Sequence, residues 1–243
     1  MPEQLFFTRI LNHAFAGAVD ALLRAFHLEP QYPQAPITNA VAMEVLVVAF
    51  LLVLFIIVRS RLSVESPGGL QHTFETFQQF IEGESHSIIG HGSERFTPFL
   101  VALTVFILVG NLFGVVPGLD SPTGVPVVPL GLALCTFVYY QAQGVRQHGI
   151  KYLKQFLGPV WWLAPLMVPL EIISHLARLL SLTIRLYANM FAGDLVTLVF
   201  FSLIPIAVPI LFLGLHIFVA LLQAYIFVLL AMVYLAGAVA QEH

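Results

Sequence analysis

LEIISHLARLLSLTIRLYANMFAGDLVTLVFFSL, residues 170–203, contains no proline and reads as a single helix. At about 1.5 Å per residue it would run for about 50 Å, well beyond the roughly 30 Å hydrocarbon core of a bilayer. Such a length requires strong tilt or a path nearly parallel to the membrane plane. Pro205 and Pro209 then break the chain, since proline has no amide N–H to continue a helix and clashes with the turn before it. Ile210 to Ala240 follows as a second long apolar helix, and the two are expected to fold as a hairpin about 204–209. Trp161 and Trp162 precede the pair and suit a membrane–water interface.

The first long segment holds Glu171, Ser174, His175, Arg178, Ser181, Arg185, Asn189 and Asp194. An ionised side chain at the bilayer centre costs about 2.5–3.5 kcal/mol on insertion scales. Several in one helix therefore need water, a partner charge or a function to offset them. At about 100° per residue, Glu171, Ser174, Arg178, Ser181, Arg185 and Asn189 fall within about 40° of Arg185 and form one polar stripe. Leu176, Leu180 and Phe191 lie on the other side. Asp194 falls about 180° from Arg185, so it must serve a different environment.

The last segment repeats the theme sparsely. His216 and Gln223 share one face of an otherwise apolar and aromatic helix. In a hairpin, Asp194 and His216 lie at similar distances from the tip and can meet across it. A carboxylate and an imidazole in reach of each other, with some water, make a proton relay. Taken alone, Arg185 is as easily a structural ion pair, and a lone His216 more often donates to a backbone carbonyl. The aligned stripe favours function, because intramembrane ionisable residues mark ion pathways. Glu44, near a helix end, reads as solvated, and Asn111 as a partner in an interhelical hydrogen bond.

Outward from these helices, the whole chain of 243 residues is 59% hydrophobic and 9% charged, with a mean hydropathy of +0.92. A soluble domain carries about 25% charged residues, so the composition indicates a single all-α integral membrane domain over residues 1–243. A formal charge of −3 is small and says nothing useful about nucleic acid, and no nucleic-acid partner is expected. The lone cysteine, Cys135, builds neither a disulfide framework nor a metal site. No Gly-rich Lys-Ser/Thr loop is present for a nucleotide, and no cofactor or metal is expected.

Residues 1–36 do not resemble a cleaved signal peptide, since Glu3, Arg9, His13 and Asp20 interrupt any apolar core. Leu11, Phe15, Ala18, Leu22 and Phe26 instead mark one face of an amphipathic helix, suited to the membrane surface or to another subunit. Spans are expected at 40–58, 96–116 and 125–140, giving about five membrane-embedded helices with the long pair 170–203 and 210–240. Residues 70–89 read as a surface or shallow helix, and 141–154 as a polar loop. Arg59, Arg61 and Arg95 flank one connection, and Arg146, Lys151 and Lys154 follow the third span. Basic residues favour the cytoplasmic side, which places the N-terminus outside, 62–95 inside, 117–124 outside, 141–158 inside and the C-terminus inside.

The stretch Ser181-Leu-Thr-Ile-Arg-Leu-Tyr-Ala-Asn-Met-Phe-Ala-Gly-Asp194 resembles the signature of the ATP synthase subunit a family, in which an Arg-Leu-x-x-Asn-Met-x-x-Gly-acid core follows Ser-Leu. The likeness continues through Asn111-Leu-Phe-Gly114, His216, Leu222-Gln-Ala-Tyr-Ile-Phe227, Val233-Tyr-Leu235 and the Glu-His terminus. One departure follows Pro122-Thr123. Gly124-Val-Pro-Val-Val-Pro129 stands where many members carry an acid or amide and then a threonine.

The resemblance implies a stator subunit of the F0 sector, non-catalytic by itself, in a bacterial plasma membrane. Its implied partners are a ring of c subunits with buried carboxylates, the b subunits of the peripheral stalk, membrane lipid and, indirectly, the F1 sector. Arg185 would face the ring carboxylate. Asp194, His216 and Gln223 would line one half-channel, Asn189 would lie near Arg185, and Glu171, His175 and Arg178 would lie nearer the helix's other end, along the second half-channel. Two readings from other classes compete: an independent channel or transporter, and a purely structural anchor subunit of a respiratory complex. The first often shows duplicated halves and broken helices, which this chain lacks. The second does not require Arg185 on a stripe.

Overall fold

A computed structural model describes residues 4–25, 27, 35–63, 68–116, 118–149, 152, 164–203 and 207–240, the side chains of 201–203 and 207–210 excepted. Among the described residues there are seven α-helices and no strand: α1 (Phe6–Ala25), α2 (Asn39–Ser60), α3 (Gly69–Ile89), α4 (Thr97–Phe113), α5 (Val127–His148), α6 (Ala164–Leu203) and α7 (Ala207–Val239). Short 3-10 turns cover Ser93–Phe96 and Pro122–Gly124. Four stretches are long and apolar enough to cross a membrane: Asn39–Ser60, Ser93–Phe113, Pro165–Phe200 and Leu211–Val239. The chain is thus an all-α membrane protein.

α5 covers the third expected span but is not one of those four. Its last two turns hold Gln141, Gln143, Arg146, Gln147 and His148, so the residues expected as a loop are helical through His148. Glutamine and arginine are good helix formers, and nothing stops the helix before Gly149. That glycine takes a φ of 59°, and its N–H bonds the Val145 carbonyl at 2.7 Å, a positive-φ conformation that glycine adopts without strain.

The long helices also start differently from expectation. α6 begins at Ala164 rather than Leu170 and runs through Pro169. Pro169 is the sixth residue of α6, past the amides that have no intrahelical partner, so the helix forgoes one backbone bond there and continues. Pro209 instead sits in the first turn of α7, where proline removes no intrahelical bond, and does not break the helix. Pro117, Lys151, Lys154, Trp161, Trp162, Pro205 and the terminal Glu-His lie outside the described residues.

α7 is the hub. It contacts α3, α4, α5 and α6. Ala220, Ala224, Ala231 and Ala238 are buried along it, and such small residues let helix backbones approach closely in lipid, where no hydrophobic force drives association. The core joins Phe96, Leu100 and Ile107 of α4 and its preceding turn to Tyr140 of α5, Leu186 and Met190 of α6, and Phe227 and Leu235 of α7. Asn111 of α4 donates to the Ala220 carbonyl of α7 at 3.3 Å, the interhelical bond expected of it.

α1 lies on α2. Asn12 donates to the Ile37 carbonyl and accepts from its N–H, each at 3.0 Å. Thr8 and Asn12 are its buried residues, while Phe15 and Leu22 of the expected apolar stripe stay exposed. α3 packs Ile81 and Ser85 inward, and Tyr225 of α7 donates to its Glu84 at 3.3 Å. Glu44 sits half-buried in the second turn of α2.

Candidate functional site

Two polar clefts open against α6, one on each side of Arg185. Asp194 lies nine residues beyond Arg185 and His175 ten residues before it, about 14 Å and 15 Å along the helix axis. Arg185 itself is half-buried and makes no hydrogen bond or ion pair with any described residue. It stands at the edge of an exposed face that carries Ala177, Ser181, Ile184 and Ala188. The inner edge of the same helix buries Leu182, Leu186 and Met190. The polar stripe expected from periodicity therefore runs along the border between packed and open faces.

The first cleft has a volume of about 650 Å³ and lies between the 118–125 connection, α6 and α7. Asp194 and His216 face each other in it, with Asp194 Oδ1 3.8 Å from His216 Nδ1. The carboxylate keeps 41% of its side-chain surface open, whereas the imidazole keeps 5%. Three glycines make room for this pair. A Cβ on Gly193 would stand 3.0 Å from His216 Nδ1, one on Gly114 3.4 Å from Asp194 Oδ1, and one on Gly124 3.2 Å from Asp194 Oδ2. Gly124, where the family pattern has a polar residue, thus serves Asp194 by lacking a side chain. Asp120 and Ser121 supply polarity to the same cleft.

The wall behind that cleft is rigid. Thr123 donates to Asn111 Oδ1 at 2.6 Å, and its oxygen lies 2.7 Å from the Ser121 hydroxyl. All three residues are buried. Toward Arg185, Asn189 donates to Gln223 Oε1 at 2.6 Å. A smaller cavity of about 250 Å³, lined by Asn189, Gly193 and His216, lies between α6 and α7. His216 Nε2 and Gln223 Nε2 are buried and have no hydrogen-bond partner among the described residues.

The second cleft is narrower, about 100 Å³, and lies where α5, α6 and α7 converge. Glu171 Oε1 is 3.4 Å from His175 Nε2, and the other ring nitrogen, Nδ1, is 3.0 Å from the Tyr140 hydroxyl. The Arg178 guanidinium rides over the Tyr234 ring at 5.4 Å, a cation–π placement. Tyr152 donates to Gln141 and closes the far side.

The structure thus brings the expected residues into two groups: Asp194 with His216, and Asn189 with Gln223, on one side of Arg185; Glu171, His175 and Arg178 on the other. Tyr140, Tyr152 and Tyr234 join this cleft without having been expected as site residues, although Tyr234 lies in the Val233-Tyr-Leu235 stretch of the family likeness. They reach the second cleft from α5, the segment after it, and α7, and tyrosines in apolar runs carry no local mark of such a role.

A family model described as ATP synthase A chain matches residues 41–236. The chain is 54% identical to ATP synthase subunit a of Koribacter versatilis (strain Ellin345), over 100% of both chains. It is 50% identical to ATP synthase subunit a of Solibacter usitatus (strain Ellin6076), across 96% of this chain and 100% of that one. ATP synthase subunit a 1 of Syntrophotalea carbinolica is 43% identical over 77% of this chain and 80% of its own.

Proposed function

The chain belongs to the ATP synthase A chain family, and from that premise we propose that it is the F0 stator subunit whose two clefts are aqueous half-channels leading protons to and from the carboxylates of a rotating c-ring. The observation that carries this is the unpaired Arg185 between two polar clefts that lie about 15 Å to either side of it along α6.

A carboxylate turning through lipid must be protonated, because a bare charge there is too costly. It can lose its proton only where water and a positive charge hold the anion. Arg185 supplies that charge from the border of an open helix face where a ring helix can lie. Its guanidinium stays protonated, so it holds the ring carboxylate ionised yet cannot pass a proton itself. It therefore bars direct leakage between the clefts.

In the wider cleft Asp194 collects protons and His216 hands them inward, past the cavity beside Asn189 and Gln223. On that route His216 Nε2 can donate or accept according to its tautomer, and the Gln223 amide Nε2 can donate; neither has a partner among the described residues. In the narrower cleft Glu171, His175 and Arg178 do the corresponding work. The driving force is about 2.3 kcal/mol per proton per 100 mV, delivered as ring rotation to the F1 sector. Nucleotide chemistry belongs to that sector, and this subunit is non-catalytic by itself. The b subunits of a peripheral stalk hold it still.

Loop charges set the orientation. The wider cleft is roofed by 118–125, which carries Asp120 and no base among its described residues. The narrower one lies by the end of α5 with Arg146. By the positive-inside rule the first faces outside and the second the cytoplasm of a bacterial plasma membrane, with the N-terminus outside and the C-terminus inside.

Single cysteines test the assignment. With Cys135 replaced by serine, Thr197→Cys should react with a membrane-impermeant thiol reagent from the outer side only, and Gly237→Cys from the cytoplasmic side only, in right-side-out and inverted vesicles respectively. Reaction of both from one side would reject two opposed half-channels.

A further inference from the structure

Glu171, His175 and Tyr140 form a line of three polar groups in the narrower cleft, and the roles of its ends are chemically unequal. An ionised carboxylate only accepts hydrogen bonds. For Glu171 Oε1, 3.4 Å from His175 Nε2, to be bonded, that nitrogen must carry the proton. On a neutral ring the other nitrogen is then a bare acceptor. The Tyr140 hydroxyl, 3.0 Å from Nδ1, is the donor that fits it.

Tyr140 is well placed to hold that role. It is buried at 2% exposure, and its ring packs edge-on against Phe137 at 5.3 Å and lies 6.0 Å from Tyr234. The ring of His175 is itself fixed by an edge contact to Phe137 at 5.9 Å. The other ionisable or charged groups of the cleft are Arg178 on the same helix, Tyr152 beyond α5 and Tyr234 on α7. The Tyr140 hydroxyl thus lies at one nitrogen of the His175 ring and the Glu171 carboxylate near the other.

We propose that Tyr140 is a positioning residue for the cytoplasmic cleft: its hydroxyl donates to His175 Nδ1, locks the ring proton onto Nε2 and aims it at Glu171. This rests on the reading of the cleft as a half-channel. Without that hydroxyl, the Glu171 carboxylate 3.4 Å from Nε2 would be left to bias the tautomer without a donor at Nδ1. The hydroxyl supplies that donor, as second partners of a histidine commonly fix which nitrogen is protonated.

The test uses the assembled complex with ¹⁵N-histidine. The neutral ring of His175, assigned by its loss in His175→Gln, should show a protonated Nε2 and a bare Nδ1. In Tyr140→Phe, which keeps the ring and its packing, both tautomers should appear. ATP-driven pumping should fall about three- to tenfold in that variant, the weight of one neutral hydrogen bond. In a His175→Gln background, Tyr140→Phe should cause no further fall.

A protonated Nδ1 in the wild type, an unchanged tautomer in Tyr140→Phe, or an equal fall in both backgrounds would overturn the proposal. The wild-type spectrum decides it even where Tyr140→Phe fails to assemble. Glu171→Gln separates the two levels. Undiminished pumping there would remove the half-channel at this end, while the tautomer spectra still decide what Tyr140 does.

Discussion

Asp194 and His216 can approach to 3.8 Å because residue 193 has no side chain. A methyl group there would stand 3.0 Å from His216 Nδ1 and 3.2 Å from Cε1, so the ring would have to move away from the carboxylate. Overpacking of this kind costs about 1–3 kcal/mol. Gly193→Ala should therefore lower ATP-driven proton pumping about fivefold or more, with the complex intact. Gly214→Ala provides the control on α7, since a Cβ there meets nothing within 4 Å. Pumping rates in inverted vesicles compare the two, and equal rates would mean that the Asp194–His216 geometry does not limit proton entry. Asp194→Asn keeps the shape and removes the proton carrier, and should abolish pumping where Gly193→Ala only slows it.

At the scale of helices, the bundle turns on Asn111, fully buried between α4 and α7. It bonds the Ala220 carbonyl at 3.3 Å and accepts from Thr123 at 2.6 Å. Interhelical bonds within membranes average about 0.6 kcal/mol each. Asn111→Leu also strands the Thr123 donor, so a loss of about 1–2 kcal/mol is expected. Denaturation of the solubilised membrane sector should show it, with Thr123→Val giving the smaller share. No change in either variant would make this network dispensable.

Much of this layer was legible in the sequence. Apolar runs located α2, α4 and α7, and the position of Asn111 within a span foretold its bond. The meeting of Asp194 with His216 followed from their equal distances to the hairpin tip. The extent of α5 was not legible, because Gln141 to His148 are polar yet helix-compatible, and only the cap at Gly149 ends them. The helix starts were not legible either: Pro209 lies in the first turn of α7, where it breaks nothing, and α6 runs on through Pro169 although a bond is lost there. Tyr140 escaped notice because its partner, His175, is on another helix, and no local spacing joins the two.

For the whole molecule, α6 and α7 are the working parts. α6 has 40 residues, about 60 Å of helix, and cannot stand upright in a bilayer. Lying tilted, it lines up the wider cleft, Arg185 and the narrower cleft along its length. The rest of the chain backs this pair: α3, α4 and α5 all pack on α7. That leaves the Arg185 edge of α6 open, with Ile184 57% exposed beside it. A monomer with such a face in lipid would gain nothing from an unpaired guanidinium, whereas a partner carrying a carboxylate would.

Arg185→Ala tests this most directly, through ATP-driven acidification of inverted vesicles in which co-purification shows the complex still assembled. Acidification should be lost while the chain remains bound in the assembled complex. Normal, coupled pumping would contradict it and leave Arg185 as a structural cation.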